Sequence, residues 1–278
     1  MRPSSHVVAV TRWNEPAAGG VATRDQLVGP LAALLKRDAY EMRTRLAAPL
    51  PVIVATVQDR TLADATHALL RAAGHGVVTC DAASAMREAA PIVLEHVEIL
   101  GNTLVGIGDR ARIELPLAHL QVVIEAMQVR SEGTSAQPVT MGIPGRRGMS
   151  LLAVAQTGRR GEKLDVERVL YLVRRSESTM LVVGEGRTHF VGTLHRATRR
   201  DSLLELVRAI RERAPLAIHD VRLATQKRPT LDLGHQRSYA TGAMPGHMFT
   251  TQVESASNVS GTDLAAHLLA LAHRTAQI

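Results

Sequence analysis

The stretch from Leu50 to Cys80 constrains the fold more than any other part of the sequence. It begins with Pro51-Val-Ile-Val-Ala-Thr-Val57, an apolar and β-branched run of strand length. An apolar face at helical spacing follows, made of Leu62, Ala65, Leu69 and Ala73. Gly76-Val-Val-Thr-Cys80 then returns as a strand. The pattern therefore predicts strand, helix and strand in succession.

The limits of that helix are also predicted from its sequence. Thr61-Leu-Ala-Asp64 resembles a capping box, with Asp64 where Glu or Gln is usual, and predicts the first turn. Gly74 stands where the residue after a helix often needs a left-handed backbone, which predicts the end of the helix.

The sequence pattern of residues 1–85 predicts one small module. His6-Val-Val-Ala-Val-Thr11 has the composition of a first strand, and Gly29-Pro30 predicts the start of a helix with Leu31, Leu34 and Leu35 on one face. Asp38-Ala-Tyr-Glu41 has capping-box spacing and predicts a second, shorter helix. The predicted order is strand, helix, helix, strand, helix, strand.

This order resembles two families of protein-binding modules, the C-terminal domain of the bacterial ribosomal stalk protein and the adaptor ClpS. The resemblance is carried by the helix 31–37, the helix 38–46, Pro51 and the helix-Gly74-strand ending. It implies a module that binds other proteins, as the first family binds translation factors and the second binds degradation substrates and a chaperone. The binding residues of neither family have matching positions here.

Residues 92–222 predict a β-rich module, which follows a short connector at 81–91. Val93–Leu100 and Thr103–Ile107 are strand-like and are separated by the turn pair Gly101-Asn102. More short strands follow, including Leu151–Ala155 and Gln121–Val129, a segment that also fits a helix although a strand is favoured. A Gly- and Pro-rich loop lies between them at about 131–148. One helix, 202–213, is predicted to begin with the capping box Ser202-Leu-Leu-Glu205. The pattern resembles a bacterial pleckstrin-homology-like domain, and a small β-sandwich with a docked helix would give the same pattern.

The sequence pattern of residues 223–278 predicts an irregular tail that ends in a helix. The chain is polar and irregular to about residue 260, and a final helix then begins at Thr262 or Asp263. Leu264, Leu268 and Leu271 form its apolar face, and a helix this short needs a surface to pack on, either in this chain or in a partner. The predicted fold class is therefore α+β, with a small mixed module, a β-rich module and a tail that ends in a docking helix.

An excess of basic residues lies between Met141 and Arg213, where fifteen Arg or Lys stand against eight Asp or Glu. Paired arginines at predicted loops and strand ends are candidate anion-binding residues, although solvated turn residues would give the same pattern. These candidates are Arg146, Arg147, Arg159, Arg160, Arg174, Arg175, Arg199 and Arg200.

The sequence contains no familiar constellation for catalysis, metal or cofactor binding. The single cysteine, Cys80, excludes an internal disulfide and a CxxC site, and no two of the twelve histidines have HExxH spacing. Neither a Walker A sequence nor a GxSxG elbow is present. We therefore predict no catalytic residue, no metal and no cofactor. The absence of a signal peptide and of a long apolar run predicts a cytoplasmic protein.

These observations favour a non-enzymatic adaptor or assembly protein that binds other proteins or further copies of itself. A basic factor that binds nucleic acid or phosphate through the arginine-rich loops of 141–213 is one alternative. An enzyme of an unrecognised type is another, and it would need a pocket with a perturbed group, for example around His189, His195 and His219.

A salt titration separates the first two hypotheses. If the arginines bind nucleic acid, the logarithm of the affinity falls linearly with the logarithm of the salt concentration. The adaptor hypothesis predicts no specific nucleic-acid complex at physiological salt, as measured by fluorescence anisotropy of a labelled oligonucleotide. A tight complex that survives physiological salt would contradict it.

Overall fold

The first three strands form one antiparallel sheet. In a computed structural model that describes residues 5–14, 22–87, 90–108, 111–137, 163–225, 234–244 and 247–278, the sheet order is β2-β1-β3. The elements are β1 (His6–Arg12), α1 (Arg24–Leu35), α2 (Ala39–Leu46), β2 (Val52–Val57), α3 (Arg60–Ala72) and β3 (Gly76–Asp81). This confirms the predicted order of elements in residues 1–85. Helices α1, α2 and α3 share one apolar core with the sheet.

The start of α1 was predicted wrongly. Thr23 is its N-cap: the Thr23 hydroxyl accepts from the Gln26 N–H, and the Gln26 side chain accepts from the Thr23 N–H. Pro30, the predicted start, lies inside the helix. The cap of α2 at Asp38 is confirmed, because its carboxylate accepts from the N–H groups of Tyr40 and Glu41.

The caps of two other helices lie two and four residues earlier than predicted. Asp59, rather than Thr61, caps α3, and its carboxylate accepts from the Thr61 N–H at 2.8 Å. The later helix predicted from Ser202 is capped by Thr198, whose hydroxyl accepts from the Asp201 N–H. Asp and Thr are both good N-cap residues, and each true cap precedes the capping box from which the helix start was predicted.

The remaining strands form two further sheets. The elements are α4 (Ala82–Arg87), β4 (Ile92–Val93), β5 (His96–Leu100), β6 (Thr103–Gly108), β7 (Ala111–Pro116), β8 (Leu120–Gln137), β9 (Lys163–Arg174), β10 (Leu181–Gly184), β11 (His189–Phe190), α5 (Arg199–Arg213), β12 (Ile218–Val221), α6 (Arg222–Thr225), β13 (Gly234–Met244), β14 (His247–Ser257) and α7 (Val259–Arg274). A seven-stranded sheet has the order β13-β14-β8-β9-β10-β4, with β12 also beside β8, and a four-stranded sheet has the order β11-β5-β6-β7.

The four-stranded sheet and α5 pack on one face of the seven-stranded sheet. Their shared core contains Val97 and Leu104 from the four-stranded sheet, Val123 and Leu172 from the seven-stranded sheet, and Leu206 from α5. The turn at Gly101-Asn102 is confirmed, because Leu100 pairs with Thr103 across it. The chain is thus α+β, with two sheets and one helix around the core of its β-rich part.

Three predictions about irregular segments were wrong. The connector at 81–91 contains α4, and the predicted loop at 131–148 is strand as far as Gln137. The tail is not irregular between 234 and 257, because β13 and β14 form a hairpin there. Residues 250–257 of β14 also pair with residues 130–137 of β8, so backbone pairing orders a stretch whose polar sequence predicted none. The predicted strand Leu151–Ala155 lies outside the described residues.

Helix α7 lies between the three-stranded and the seven-stranded sheets. Leu268 and Ala272 pack on Val7, Ala9 and Val78 of the first sheet. On the other side, Ala265, Ala266, Leu269 and Ala270 pack on the seven-stranded sheet. The predicted docking helix therefore docks within this chain, with Leu268 fully buried and with Leu264 and Leu271 half-buried.

The first turn of α7 is held by buried polar groups. The helix begins after Asn258 rather than at Thr262 or Asp263, and the Asn258 carboxamide oxygen accepts from the Val129 N–H at 2.7 Å. The buried Tyr171 hydroxyl donates to the Asp263 carboxylate at 2.6 Å, and the Gln128 amide donates to the same oxygen at 3.3 Å. Burial, followed by the Asp263 charge, raises the pKa of Tyr171, so the phenol remains a donor.

The last turn of α7 is held by a cluster around Asp220. Nε and Nη2 of Arg222 donate to the Asp220 carboxylate, and His273 Nε2 of α7 lies 3.0 Å from Oδ2 of Asp220. Arg222 Nη1 also donates to the carbonyl of Thr11 in β1 at 2.7 Å. Burial acts to raise the pKa of Asp220, but the hydrogen bonds from His273 and Arg222 outweigh it and hold the pKa well below its usual range. The Asp220 cluster thus joins β12, α7 and β1.

Substitution of Asp220 tests the contribution of this cluster. Because its folded pKa is depressed, Asp220 stabilises the protein above its unfolded pKa of about 4, and this contribution is lost as the pH falls further. We expect Asp220→Asn to lower the free energy of unfolding at neutral pH by about 3 kcal/mol, since it leaves the partly buried Arg222 guanidinium without its carboxylate partner. The decrease in the free energy of unfolding as the pH falls below about 4 should also be smaller in this variant than in the wild-type protein.

Urea titration over a pH series measures both effects. Glu114→Gln is the control, because Glu114 pairs with Arg112 at 2.9 Å in an exposed ion pair, and it should cost under about 1 kcal/mol. Equal destabilisation by the two substitutions would contradict the assigned role of the Asp220 cluster.

Candidate functional site

Strand β3 is an edge strand of its sheet. It pairs with β1 on one side, and no described strand pairs with its other side. An unpaired strand edge presents backbone donors and acceptors that another chain can satisfy. The free edge of β3 is therefore a candidate binding surface.

The direction of the β3 backbone groups follows from its register with β1. The Ala82 N–H donates to the Ser5 carbonyl at 2.7 Å, and the continuous register pairs Cys80 with Val7 and Val78 with Ala9. Directly opposed residues of an antiparallel pair alternate between hydrogen-bonded and non-hydrogen-bonded positions. By this alternation, the N–H and C=O groups of Asp81, Thr79 and Val77 point away from β1 and toward the free edge.

A helix stands on each side of this edge. Val77 belongs to the core under α1, α2 and α3, whereas Val78 and Cys80 pack with α7. Thr79 lies on the same face of β3 as Val77, and the Nδ1 atom of His67 in α3 lies 2.9 Å from the Thr79 hydroxyl, which confirms that this face is turned toward α3. The edge of β3 therefore forms the floor of a groove, and α3 and α7 form its walls.

The groove has a volume of about 570 Å³. All five residues from Val77 to Asp81 line it, which shows that it follows the length of the strand. The remaining lining residues are His6 of β1, Arg60, Asp64 and His67 of α3, and Leu271, Thr275 and Gln277 at the end of α7. We call this space the β3 groove.

The β3 groove is closed near Gly76 by residues that follow α7. The Gln277 carbonyl accepts from the Thr11 hydroxyl at 2.7 Å, and the Gln277 side chain accepts from Arg71. A Cβ atom on Gly76 would lie 2.3 Å from the Gln277 carbonyl oxygen, so this position requires glycine. The close approach fixes the position of Gln277 at this end.

Three charged side chains line the other end of the groove. Arg60 Nε lies 3.7 Å from the Asp64 carboxylate, and both side chains are largely exposed, so this ion pair is weak. The Asp81 carboxylate accepts from the Ser84 N–H at 2.8 Å, and this hydrogen bond lowers its pKa. The lining therefore contains two acidic side chains, Asp64 and Asp81, and one guanidinium, that of Arg60.

Among its described residues, the groove lacks the geometry of a nucleophilic centre. Burial, together with the Arg71 charge, lowers the pKa of His67, so the imidazole is neutral at neutral pH. Burial also raises the pKa of the Cys80 thiol to about 11. Cys80 faces α7, whereas His67 belongs to α3 and contacts Thr79 on the opposite face of β3, so the strand backbone separates the thiol from the imidazole. This arrangement suits binding rather than acyl transfer.

The predicted anion-binding arginines do not form one surface among the described residues. Arg174 and Arg175 lie at the end of β9 beside Leu120, and Arg174 forms an ion pair with Glu177. Arg199 and Arg200 begin α5, where Arg199 donates to the carbonyl of Gly186, two residues after Gly184, which pairs with Val169 in the middle of β9. Five residues of strand, about 17 Å, separate Val169 from Arg174. Arg146, Arg147, Arg159 and Arg160 lie outside the described residues.

The histidines proposed for an enzyme do not line the β3 groove. His189 and His195 are exposed, and the His189 ring stacks on that of His96 with centroids 5.3 Å apart. His219 is half-buried in β12. In the described part of the chain, no three metal-ligating side chains come together, and no helix is long and apolar enough to cross a membrane.

Sequence reasoning missed the groove residues because their role depends on which strand lies at the edge. Thr79 and Asp81 are polar residues in a short, otherwise apolar strand, and this was the only available signal. Comparisons with protein-family models, curated proteins and solved structures found no match to this chain. The suspected resemblances to ClpS, to the stalk protein and to pleckstrin-homology-like domains remain predictions.

The raised pKa of Cys80 predicts a slowly reacting thiol. We expect alkylation by iodoacetamide near neutral pH to be at least about tenfold slower than that of glutathione, because little thiolate is present. The rate should rise as the pH approaches about 11. Mass spectrometry of timed samples measures it, and alkylation as fast as that of glutathione would contradict the assigned environment.

Proposed function

We propose that this protein is a non-enzymatic cytoplasmic adaptor that binds an extended segment of another protein along the free edge of β3. The observation that carries this proposal is the pair of outward-directed backbone positions at Thr79 and Asp81, which are only partly buried and lie on the floor of the β3 groove. An added strand would satisfy these groups, as in other cases of recognition by strand addition. The free Cys80 is in keeping with a reducing compartment.

The walls of the groove favour an extended segment over other ligands. The lining follows five consecutive strand residues, so a bound segment can form main-chain hydrogen bonds along its length. With α3 on one face and α7 on the other, the space suits a single strand. The described arginines offer no comparably continuous surface for nucleic acid.

A tryptophan at Thr275 tests the use of the groove. Thr275 is exposed, lines the groove and donates through its hydroxyl to the Leu271 carbonyl at 2.9 Å. We expect Thr275→Trp to fill the groove and to lower the affinity for bound peptides at least about tenfold, since a strand can no longer lie against α7. The peptides are selected from a displayed library of random linear sequences and measured by fluorescence anisotropy.

Thr44→Trp is the matched control. Thr44 is also exposed near the end of a helix, and its hydroxyl donates to the carbonyl four residues earlier, that of Tyr40, at 3.0 Å. It lies on α2, away from the groove lining. Equal binding by Thr275→Trp and the wild-type protein, with both variants folded by circular dichroism, would refute groove binding.

Amide hydrogen exchange tests strand addition directly. Peptide binding should slow exchange at Thr79 and Asp81, whose N–H groups point outward and which are only partly buried. Exchange at Val78 and Cys80 should change little, because their N–H groups already donate to β1. Uniform protection, or protection that rises with protein concentration without peptide, would contradict the proposal, and the second result would indicate pairing between two copies of the chain.

A further inference from the structure

This inference rests on the proposed function and concerns the chemistry of the segment that the β3 groove selects. A strand added to the edge of β3 continues the sheet, so its side chains alternate between the α3 and α7 faces. Residues opposite Val77, Thr79 and Asp81 face α3, and residues opposite Val78 and Cys80 face α7. This alternation holds for either direction of the added strand.

The α7 side of the groove has an apolar part at Leu271, beside the polar Thr275 and Gln277. Leu271 lines the groove and packs in the same cluster as Val78 and Cys80. The raised pKa keeps Cys80 an uncharged thiol, which behaves as a small apolar group. Aliphatic side chains opposite Val78 and Cys80 would bury their surface against these residues.

The α3 side of the groove carries an excess of negative charge at one end. The Asp81 side chain lies on this face, and Asp64 of α3 lines the same space. The guanidinium of Arg60 offsets only one of these carboxylates, because the described lining contains no other Arg or Lys. Opposite charges directly across two strands attract each other, so a basic residue suits the position opposite Asp81.

We propose that the β3 groove selects an extended segment with aliphatic side chains at alternate positions and a basic residue opposite Asp81. The geometry of the strand edge places these side chains against Leu271 on one face and between the carboxylates of Asp81 and Asp64 on the other. The position opposite Thr79 faces His67 and accommodates a polar side chain.

A peptide that reads the same in both directions tests this pattern whether the added strand is parallel or antiparallel to β3. We choose the core Lys-Val-Thr-Val-Lys, flanked by glycines and labelled at one end, and measure its binding by fluorescence anisotropy. A peptide with both Val replaced by Ser should bind about tenfold more weakly or worse, because two buried aliphatic side chains are lost. The rearranged core Val-Val-Thr-Lys-Lys has the same composition without the alternation and should bind similarly weakly.

The variant Asp81→Asn tests the charge. Asn keeps an oxygen that can accept from the Ser84 N–H, so α4 remains capped, whereas the negative charge is lost. We expect about two- to fivefold weaker binding of the Lys-containing peptide, the size of an exposed charge pair. High salt should remove this difference. Asp38→Asn, which also replaces a capping aspartate but at the start of α2 and away from the groove lining, should leave the affinity unchanged.

The outcomes distinguish this inference from the proposed function. If random peptides protect the β3 edge in hydrogen exchange but the Lys-Val-Thr-Val-Lys core binds no better than the rearranged core, alternation is refuted and strand addition stands. If the core Glu-Val-Thr-Val-Glu binds as tightly as the Lys-Val-Thr-Val-Lys core or more tightly, the preference for a basic residue opposite Asp81 is refuted, and the alternation of side chains stands. If no peptide protects the edge, the proposed function itself fails.

Discussion

Two sheets of this protein have an apolar face that must be removed from water, and the single helix α7 covers both. Its leucine side packs on the three-stranded sheet, and its alanine-rich side packs on the seven-stranded sheet. The small side chains of Ala265, Ala266 and Ala270 allow close approach on the second side. Burial of apolar surface is the main favourable contribution to folding, so this helix is what makes the two parts of the chain one structure.

The polar contacts of α7 determine where it lies between the sheets. Apolar packing has little directional preference, whereas Tyr171 at the first turn and Asp220 at the last turn each contact one defined atom of the helix. Arg222 extends the second contact to the backbone of β1. As a result, the position of α7 relative to β3, and hence the width of the β3 groove, depends on residues that lie in the β-rich part of the chain.

The N-terminal order of elements was predictable because local signals act within a few residues there. Asp38 caps α2 as predicted, and Gly74 has the positive φ of 88° that its position after a helix suggested. Helix starts were less predictable. Thr198 and Ser202 are both residue types that cap helices, and only the packed structure shows that Ser202 is buried within α5 and that Thr198 is the cap. The hairpin of β13 and β14 was missed, since its pairing partner in β8 is more than a hundred residues away.

The candidate site depended on the same long-range information. Sequence alone indicates that residues 76–81 form a strand, but it does not indicate which side of that strand remains unpaired. The groove also needs α7, whose contribution to it comes from Leu271, a residue predicted to dock on another surface. The arginine pairs, in contrast, were conspicuous in sequence, yet of those described one pair lies at the end of β9 and the other at the start of α5.

The distance along the chain between β3 and α7 has a consequence for biosynthesis. The three-stranded sheet leaves the ribosome long before α7, so Val7, Ala9 and Val78 have no covering helix while the β-rich part is still being translated. During that interval the nascent chain presents an uncovered apolar sheet face next to an unpaired strand edge. Both are features that molecular chaperones shield and that promote aggregation, so slow elongation through residues 90–258 would prolong the vulnerable period.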